Sequence, residues 1–325
     1  YIMRQWYIIN DKIHDAGMDV GYIGVHKDEL KNIQDVHLPE DYDGWFPFMG
    51  MCYSLGDLGI RSGIFEALKK KYPKIKIALP TKEYVEQLIP GVNSWSYQGK
   101  NKVLDNKDVI YKNNPYIDKF FNKGEFTRVF TDHDRCYSSL VHDGEEVRSC
   151  DEPLAEQILR RFGFTDEDLK NIDSKPKLYF DQEEIDKCEG IIKKYLGEEP
   201  YGCLLFASRI ERLQGRWSYD HHLIKETNEY HGKPVFYFSE FDINTTEWGR
   251  CFPNNIDFSQ LGLSLREQVY IKSRALFNIG YQAGITDASS GRGTKTITLC
   301  PYNTIRENCV RGTKYIYKDK SVKQF

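Results

Sequence analysis

Apolar and polar residues along this 325-residue chain form patterns that predict strands and helices in turn. A short apolar run that starts at Phe48 leads into the sequence Ser54-Leu55-Gly56-Asp57. A helical pattern follows, with apolar residues three or four positions apart, and a second apolar run covers 74–79. This order predicts a strand–loop–helix–strand unit.

Asp57 stands where the first predicted strand gives way to its helix. In open α/β sheets, ligands bind at this edge, so a carboxylate here can contact a substrate. Asp is also a common N-cap, and the local sequence allows Asp57 to cap a helix that begins near Leu58. Gly56 and Gly59 fit a tight turn at which backbone and ligand approach closely. Both roles of Asp57 stay open at this point.

The rest of the chain continues the alternation of strands and helices. Predicted helices cover Gln5–Asp15, Lys27–Val36, Tyr84–Leu88, Glu152–Phe162, Gln182–Tyr195, Tyr219–Tyr230, Leu265–Arg274 and Ala283–Ser290. Predicted strands cover Ser94–Tyr97, Phe126–Thr131, Leu178–Phe180, Gly202–Ala207, Pro234–Phe238, Ala275–Gly280 and Thr296–Cys300. The polar stretch Lys107–Lys123 predicts a surface segment.

Two βα halves predict an α/β protein with two parallel sheets facing a cleft. We place the boundary between the halves near 180–200. The resulting division is an N-terminal extension (1–44), an N-terminal domain (45–185) and a C-terminal domain (186–325).

Composition narrows the class of protein. Hydrophobic residues make up 40% and charged residues 29% of the chain, which is typical of a globular protein. A net charge of −3 gives no electrostatic reason to expect nucleic acid as a partner. The eight cysteines form no Cys-x-x-Cys pair, which favours reduced thiols and a cytoplasmic location. No apolar run is long enough to predict a membrane span, and the first residue is Tyr1, so a preceding targeting segment stays open.

Four motifs carry a resemblance to a known family. They are Ser54-Leu55-Gly56-Asp57 with the following Ala67-Leu68 and Tyr72-Pro73; Lys177-Leu178-Tyr179-Phe180; Phe206-Ala207-Ser208-Arg209 with Arg216-Trp217; and Leu263-Ser264-Leu265-Arg266-Glu267 with Gly280–Ala288. Taken in this order, they resemble the heptosyltransferase-like sugar transferases of glycosyltransferase family 9. The resemblance covers about residues 46–305 and leaves 1–44 outside it.

The resemblance implies a GT-B fold, in which two Rossmann-like domains bind the acceptor and the nucleotide sugar respectively. It also implies an inverting, metal-independent transfer that needs no cofactor besides the donor substrate. Such a transfer needs a base that takes the proton of the acceptor hydroxyl. Asp57 matches the family's Gly-Asp position, so the resemblance makes it the candidate base.

On the donor side, the leaving diphosphate must be stabilised by cations and by N–H groups. Ser208 and Arg209 match the family's small-hydroxyl turn. Arg212 and Arg216 are nearby cations, and Arg216 is the better match to the family's lysine because Trp217 follows it. A solvated surface charge is the alternative for each arginine. The backbone of Gly284, Ile285 and Thr286 is the expected phosphate-binding helix start.

The chain departs from the family where the donor sugar would bind. The family usually reads Gly-x-Asp-Ser/Thr-Gly-x-x-His, whereas Gln282 replaces the acidic residue and Asp287 the histidine here. We expect these two residues to contact the donor sugar, and the departure argues against a heptose donor more than against glycosyl transfer.

The leading hypothesis is a transfer of sugar from a nucleotide-activated donor to a glycan or a lipid-linked glycan, with peripheral membrane contact compatible with such an acceptor. The alternatives are a GT-B-like protein that only binds a glycan or a nucleotide, and a two-domain nucleotide-sugar epimerase. Asp132-His133-Asp134 contains the Asp-x-Asp pattern that holds a metal in other glycosyltransferases, but a three-residue match often arises by chance, and we interpret it as a polar loop after a strand.

Overall fold

The computed structural model describes residues 6–9, 12–15, 38–50, 55–88, 105–127, 129–131, 152–206, 224–239, 242–281, 284–289, 294–299, 310–316 and 322–324. The strands are β1 (Trp6–Ile9), β2 (Lys12–Asp15), β3 (Trp45–Met49), β4 (Lys76–Pro80), β5 (Lys119–Phe121), β6 (Phe130–Thr131), β7 (Gly202–Phe206), β8 (Val235–Ser239), β9 (Asn255–Asp257), β10 (Phe277–Tyr281), β11 (Lys295–Leu299), β12 (Thr313–Ile316) and β13 (Val322–Gln324).

The helices are α1 (Leu55–Arg61), α2 (Ile64–Lys71), α3 (Lys82–Leu88), α4 (Asn106–Val109), α5 (Leu154–Arg161), α6 (Asp166–Lys170), α7 (Gln182–Leu196), α8 (Glu247–Cys251), α9 (Leu265–Arg274) and α10 (Gly284–Ser289). Short 3₁₀ helices cover Asn228–Tyr230, Ile243–Thr245 and Phe258–Leu261. Among the described helices, none has the length and apolar character needed to cross a membrane.

The N-terminal sheet has the strand order β5-β4-β3-β6, and all its pairs are parallel. Strand β3 is buried along all but its first residue, as expected for a parallel strand covered on both faces. Pro47 has no N–H to donate; it lies opposite Ala78 of β4, and among the described residues β6 pairs with Phe48 and Met49. The order of the strands reverses at β3, between its neighbours β4 and β6.

The C-terminal sheet has the order β13-β12-β11-β10-β7-β8-β9. Its strands are parallel except for β13, which pairs antiparallel with β12. The first six strands of this half therefore follow the 3-2-1-4-5-6 order of a doubly wound sheet. The order reverses between β7 and β10, so this is the expected binding edge of the sheet.

The cores of the two sheets are not independent. The N-terminal core is aromatic, with the ring of Phe46 lying 4.6 Å from that of Phe130 and 4.7 Å from that of Phe162. The same cluster of buried residues includes Val269, Ala288 and Val310, which lie far along the chain. Helix α7 runs through the predicted boundary at 185/186, and its Cys188, Ile192 and Leu196 pack under the C-terminal sheet.

The N-terminal helix predicted over Gln5–Asp15 is wrong in the structure. Strands β1 and β2 form an antiparallel hairpin, in which Ile9 pairs with Lys12. Aromatic and β-branched residues favour strands here, and the two residues between the strands, Asn10 and Asp11, are turn formers. The spacing of apolar residues in this short stretch fits the period of a helix and that of a strand, so the residue composition is what favours strands.

Other elements also differ from the sequence pattern. The helix predicted after Asp57 is interrupted at Ser62 and Gly63 and forms two helices, α1 and α2. Gly63 lies close to another segment, since a Cβ atom there would stand 2.3 Å from the carbonyl oxygen of Ser174. The predicted surface segment Lys107–Lys123 contains β5. Residues 178–180 form no strand, and the Tyr179 carbonyl accepts a hydrogen bond from the Arg266 side chain.

Several predicted elements coincide with observed ones. Helix α9 has the predicted bounds, and β7, β8, β10 and β11 lie within one or two residues of them. The predicted elements Lys27–Val36 and Ser94–Tyr97 lie outside the described residues, as do residues 219–223 of the helix predicted over Tyr219–Tyr230.

One lysine lies inside the C-terminal half. Lys272 is 2% exposed, and its Nζ donates to Oδ1 of Asn278 at 3.2 Å. Burial away from water lowers the pKa of Lys272. The unfolded chain therefore binds a proton at Lys272 more readily than the folded protein does. As the pH drops from the ordinary lysine pKa toward the lowered one, the free energy of unfolding decreases.

We therefore expect Lys272→Met to be more stable than the unchanged protein, and more so at pH 6 than at pH 9. A gain of about 1 kcal/mol would raise Tm by about 2–4 °C. Differential scanning calorimetry at both pH values measures this, with the exposed Lys233→Met as the matched control. An equal effect of Lys272→Met at both pH values would contradict the expectation.

Candidate active site

Asp57 lies at the carboxyl edge of the N-terminal sheet, just after the strand at which the order reverses. Helix α1 begins at Leu55, so Asp57 is the third residue of the helix. The predicted helix start near Leu58 is therefore wrong, and Asp57 does not occupy the N-cap position of α1. Its side chain is 2% exposed, and the site shields it from bulk water.

Asp57 shares one face of α1 with Arg61. Residues four apart differ by only about 40° around a helix, so the two side chains lie one above the other. Arg61 is 1% exposed, and its guanidinium lies against the backbone of Gly50, where a Cβ atom would meet Cζ at 2.6 Å. A cation is thus buried beside the end of β3, one helical turn from the carboxylate.

Sequence reasoning missed Arg61. The available signal was its spacing of four from Asp57 in a predicted helix, which places opposite charges on one face. The sequence does not show that this face turns inward, because buried and solvated arginines look alike along a chain.

The opposite face of α1 contacts α10. Gly59 lies about 200° around the helix from Asp57. A Cβ atom at Gly59 would stand 2.6 Å from Cβ and 2.7 Å from Cα of Ala288, so only glycine permits this approach. Gly56 and Gly59 were expected in a tight turn, but both lie inside α1, and the use of Gly59 is helix packing.

Helix α10 carries part of the predicted donor site. It begins at Gly284, immediately after two residues that follow β10. Thr286 is 2% exposed, and Ile285 packs against the N-terminal core. Gln282 lies outside the described residues, and Asp287 is a residue of α10. Gly284–Thr286 thus lie on the helix that packs against α1, the helix that carries Asp57.

The predicted phosphate-binding residues Ser208, Arg209, Arg212 and Arg216 lie outside the described residues. The strand that precedes them, β7, ends at Phe206 beside β10, so they follow the strand at which the C-terminal order reverses. At this edge the ring of Phe206 lies 4.7 Å from that of Trp248 and 6.2 Å from that of Tyr281. Gly280 lets β10 approach β7 closely, since a Cβ there would meet the Leu205 carbonyl oxygen at 2.1 Å.

Two buried cysteines near this sheet are unsuited to nucleophilic chemistry. Burial raises the pKa of the Cys188 thiol to about 12 and that of the Cys203 thiol to about 11. A thiol must lose its proton to act as a nucleophile, so both stay inert near neutral pH. Across the described ranges, no three His, Cys, Asp or Glu side chains are grouped to hold a metal ion, and Asp132–Asp134 lies outside those ranges.

Comparison with known proteins gives a match in structure and none in sequence. No protein-family model and no curated protein matches the chain. The structure of a glycosyl transferase of family 9 from Veillonella parvula matches with a TM-score of 0.52 and 12% identity, over 86% of this chain and 87% of that one. The E. coli ADP-heptose LPS heptosyltransferase II matches with a TM-score of 0.47 and 12% identity, over 85% and 93%.

These findings establish the fold. The chain has a GT-B fold, with two largely parallel sheets of Rossmann type, as the sequence motifs indicated. Within that class, the chain is similar in structure to a family 9 glycosyl transferase. The predicted resemblance is confirmed at the level of fold.

The close contact between α1 and α10 can be tested by adding one methyl group. We expect Gly59→Ala to lower the free energy of unfolding by about 1–3 kcal/mol, because the new Cβ overlaps Ala288. Urea denaturation followed by circular dichroism measures the change.

The matched control is Gly190→Ala in α7, where a Cβ would meet nothing within 4 Å. Replacing this helical glycine should stabilise the protein by up to about 1 kcal/mol. If both variants were equally stable, the packing argument at Gly59 would fail.

Proposed function

We propose that this protein transfers a sugar from a nucleotide-activated donor to a hydroxyl of a glycan or glycolipid acceptor. The observation that carries the proposal is the placement of Asp57. It follows the strand at which the N-terminal order reverses, on a helix whose other face contacts α10, which starts after the switch-point strand β10. The GT-B fold supports the assignment of one sheet to each substrate.

In the proposed reaction, Asp57 acts as the general base. Its carboxylate accepts the proton of the acceptor hydroxyl while that oxygen attacks the anomeric carbon from the side opposite the diphosphate, which inverts the configuration. The nucleoside diphosphate leaves with the electron pair of the broken glycosidic bond. A base shielded from bulk water suits this step, because water would otherwise compete with the acceptor for the donor.

The leaving diphosphate needs positive charge and N–H donors. We assign this role to Ser208, Arg209, Arg212 and Arg216, together with the backbone N–H groups of Gly284, Ile285 and Thr286. Gln282 and Asp287 are assigned to the donor sugar. The scheme uses no metal ion, because the arginines and the helix start supply the charge that a divalent cation would otherwise provide.

A second candidate function is binding without transfer. Arg61 shares the face of Asp57, and both side chains are almost fully buried. A buried arginine needs a compensating charge, and Asp57 would have a purely structural role if it only compensated Arg61. The two candidates differ in what happens when Asp57 loses its charge.

We expect Asp57→Asn to keep nucleotide binding and to lower kcat of transfer by about 10²–10⁴-fold, because the amide cannot take the proton. Isothermal titration with nucleoside diphosphates and a product assay measure the two effects. The exposed Asp41→Asn is the control, with unchanged turnover expected. Retained turnover in Asp57→Asn would remove Asp57 from the base role.

The class of donor and the need for metal can be tested together. We expect one nucleoside diphosphate among ADP, GDP, UDP and CDP to raise Tm clearly above the others in a thermal-shift panel, since a ligand that binds the folded state stabilises it. Transfer from the corresponding nucleotide sugar should be unaffected by EDTA. Activity that EDTA abolishes and Mg²⁺ or Mn²⁺ restores would contradict the metal-independent scheme.

A further inference from the structure

Arg266 links three separate parts of the chain. It lies on α9 in the C-terminal half and is 7% exposed. Its Nη1 donates to the Val109 carbonyl oxygen at 2.6 Å, and its Nη2 donates to that of Tyr179 at 2.5 Å. Its Nε and Nη2 also donate to the two carboxylate oxygens of Glu184, at 2.5 and 3.0 Å.

The partners of Arg266 belong to different parts of the fold. Val109 ends α4 beside the N-terminal sheet, Tyr179 lies in the segment between the two sheets, and Glu184 is in the first turn of α7. The guanidinium also lies 4.7 Å from the centre of the Phe180 ring. A planar fork of five N–H groups can satisfy these acceptors at once, whereas a lysine ammonium cannot match this geometry.

The anionic partner of Arg266 is itself held in place. Glu184 completes the capping box of α7 with Asp181, and Lys112 contacts it at 3.2 Å. Burial alone would raise the pKa of Glu184, but the hydrogen bonds from Arg266 and the Asp181 backbone bring it below its ordinary value. The Glu184 carboxylate therefore stays charged. It pairs with one cation from each half of the chain, Lys112 and Arg266.

Arg311 makes an equivalent contact elsewhere. It precedes β12, and its Nε donates to Oε1 of Glu156 at 2.5 Å. Its Nη1 and Nη2 donate to the carbonyl oxygens of Ile172 and Leu169, each at 3.1 Å. Glu156 lies on α5 against the N-terminal core and is 5% exposed, so the carboxylate of this ion pair is removed from water, whereas the Arg311 side chain is partly exposed.

Neither arginine belongs to the contact between α1 and α10. That contact alone would allow the two sheets to rotate about it, because a glycine packed on an alanine has no directional bond. Two further contacts between other elements resist such rotation. Buried pairs of this kind add little net stability, but breaking one leaves an uncompensated charge, so they favour a single arrangement.

We propose that Arg266 and Arg311 are positioning residues that fix the angle between the N-terminal and C-terminal sheets. This inference rests on the proposed function in one respect: the angle between the sheets determines how close Asp57 lies to the edge of the C-terminal sheet at which the donor is proposed to bind. Neither residue is expected to touch substrate. Their loss should change the geometry of the two sheets in a protein that remains folded.

The test measures the distance between the sheets in the ligand-free protein. Spin labels are attached through encoded p-acetylphenylalanine at the exposed positions Lys123 and Lys233, one in each half. Pulsed dipolar spectroscopy then gives the distance distribution. We expect one narrow distribution in the otherwise unchanged protein and a broader or shifted one in Arg266→Gln and Arg311→Gln.

Two comparisons separate positioning from simple loss of stability. Arg274→Gln removes an arginine from the same helix whose side chain is 55% exposed and paired with Glu189, and it should leave the distribution unchanged. Arg266→Lys keeps the charge but not the fork, so we expect an intermediate width. If Arg311→Gln fails to fold, Glu156→Gln tests the same contact without changing side-chain size.

Transfer assays provide the second readout. For the donor that the unchanged protein uses best, kcat should fall by on the order of tenfold to a hundredfold in Arg266→Gln, with KM for the donor within about twofold. An unchanged distance distribution in folded Arg266→Gln and Arg311→Gln would overturn the inference. A changed distribution together with no transfer by the unchanged protein would instead overturn the proposed function and leave the positioning role standing.

Discussion

The approach of α1 to α10 is the contact on which the arrangement of the candidate site depends. Each helix starts at the carboxyl edge of a parallel sheet, close to the strand at which the order reverses. The packing of the two helices therefore makes the carboxyl edges of the two sheets, where ligands are expected to bind, face each other. The distance is short because Gly59 has no side chain to hold Ala288 away. A larger residue there would separate the edges whatever the rest of the sequence specified.

The protein also buries several charged side chains. The exposed fraction is 1% for Arg61, 7% for Arg266 and 5% for Glu156. Burying a charge costs free energy unless it is paired and hydrogen-bonded, and hydrophobic residues of similar volume would often be as stable. Charged groups add geometric specificity, because a guanidinium can donate hydrogen bonds only to acceptors that lie along its N–H directions. This fits a protein whose two halves must meet at one angle.

The sequence pattern predicted the repeating βα units of the C-terminal half well. Strands β7 and β10 are short and wholly buried, and α9 begins with a capping box at Ser264. Such elements are specified locally, so a single sequence reveals them. The prediction failed where distant segments meet. Between α1 and α2, Gly63 passes too close to Ser174 for a side chain, and in the predicted strand Leu178–Phe180 the Tyr179 carbonyl accepts a hydrogen bond from the Arg266 side chain.

The candidate site divides in the same way. Asp57 could be predicted because a carboxylate after a strand marks a binding edge, and because the motif around it resembles that of a sugar-transferase family. Arg61 could not, since its burial depends on how α1 lies against the end of β3. The role of Gly59 was predicted as a turn and is helix packing, since the residue that requires the glycine lies more than two hundred positions away.

The sequence by itself thus determined the order of strands and helices in the C-terminal half, the class of fold, and the carboxylate at the edge of the first sheet. The tertiary structure decided which face of α1 meets α10 and which arginines turn inward. Local periodicity is a property of neighbouring residues and can be read along the chain. The angle between the sheets depends on contacts such as those of Arg266 with Val109 and Arg311 with Glu156, between residues that only the folded chain brings together.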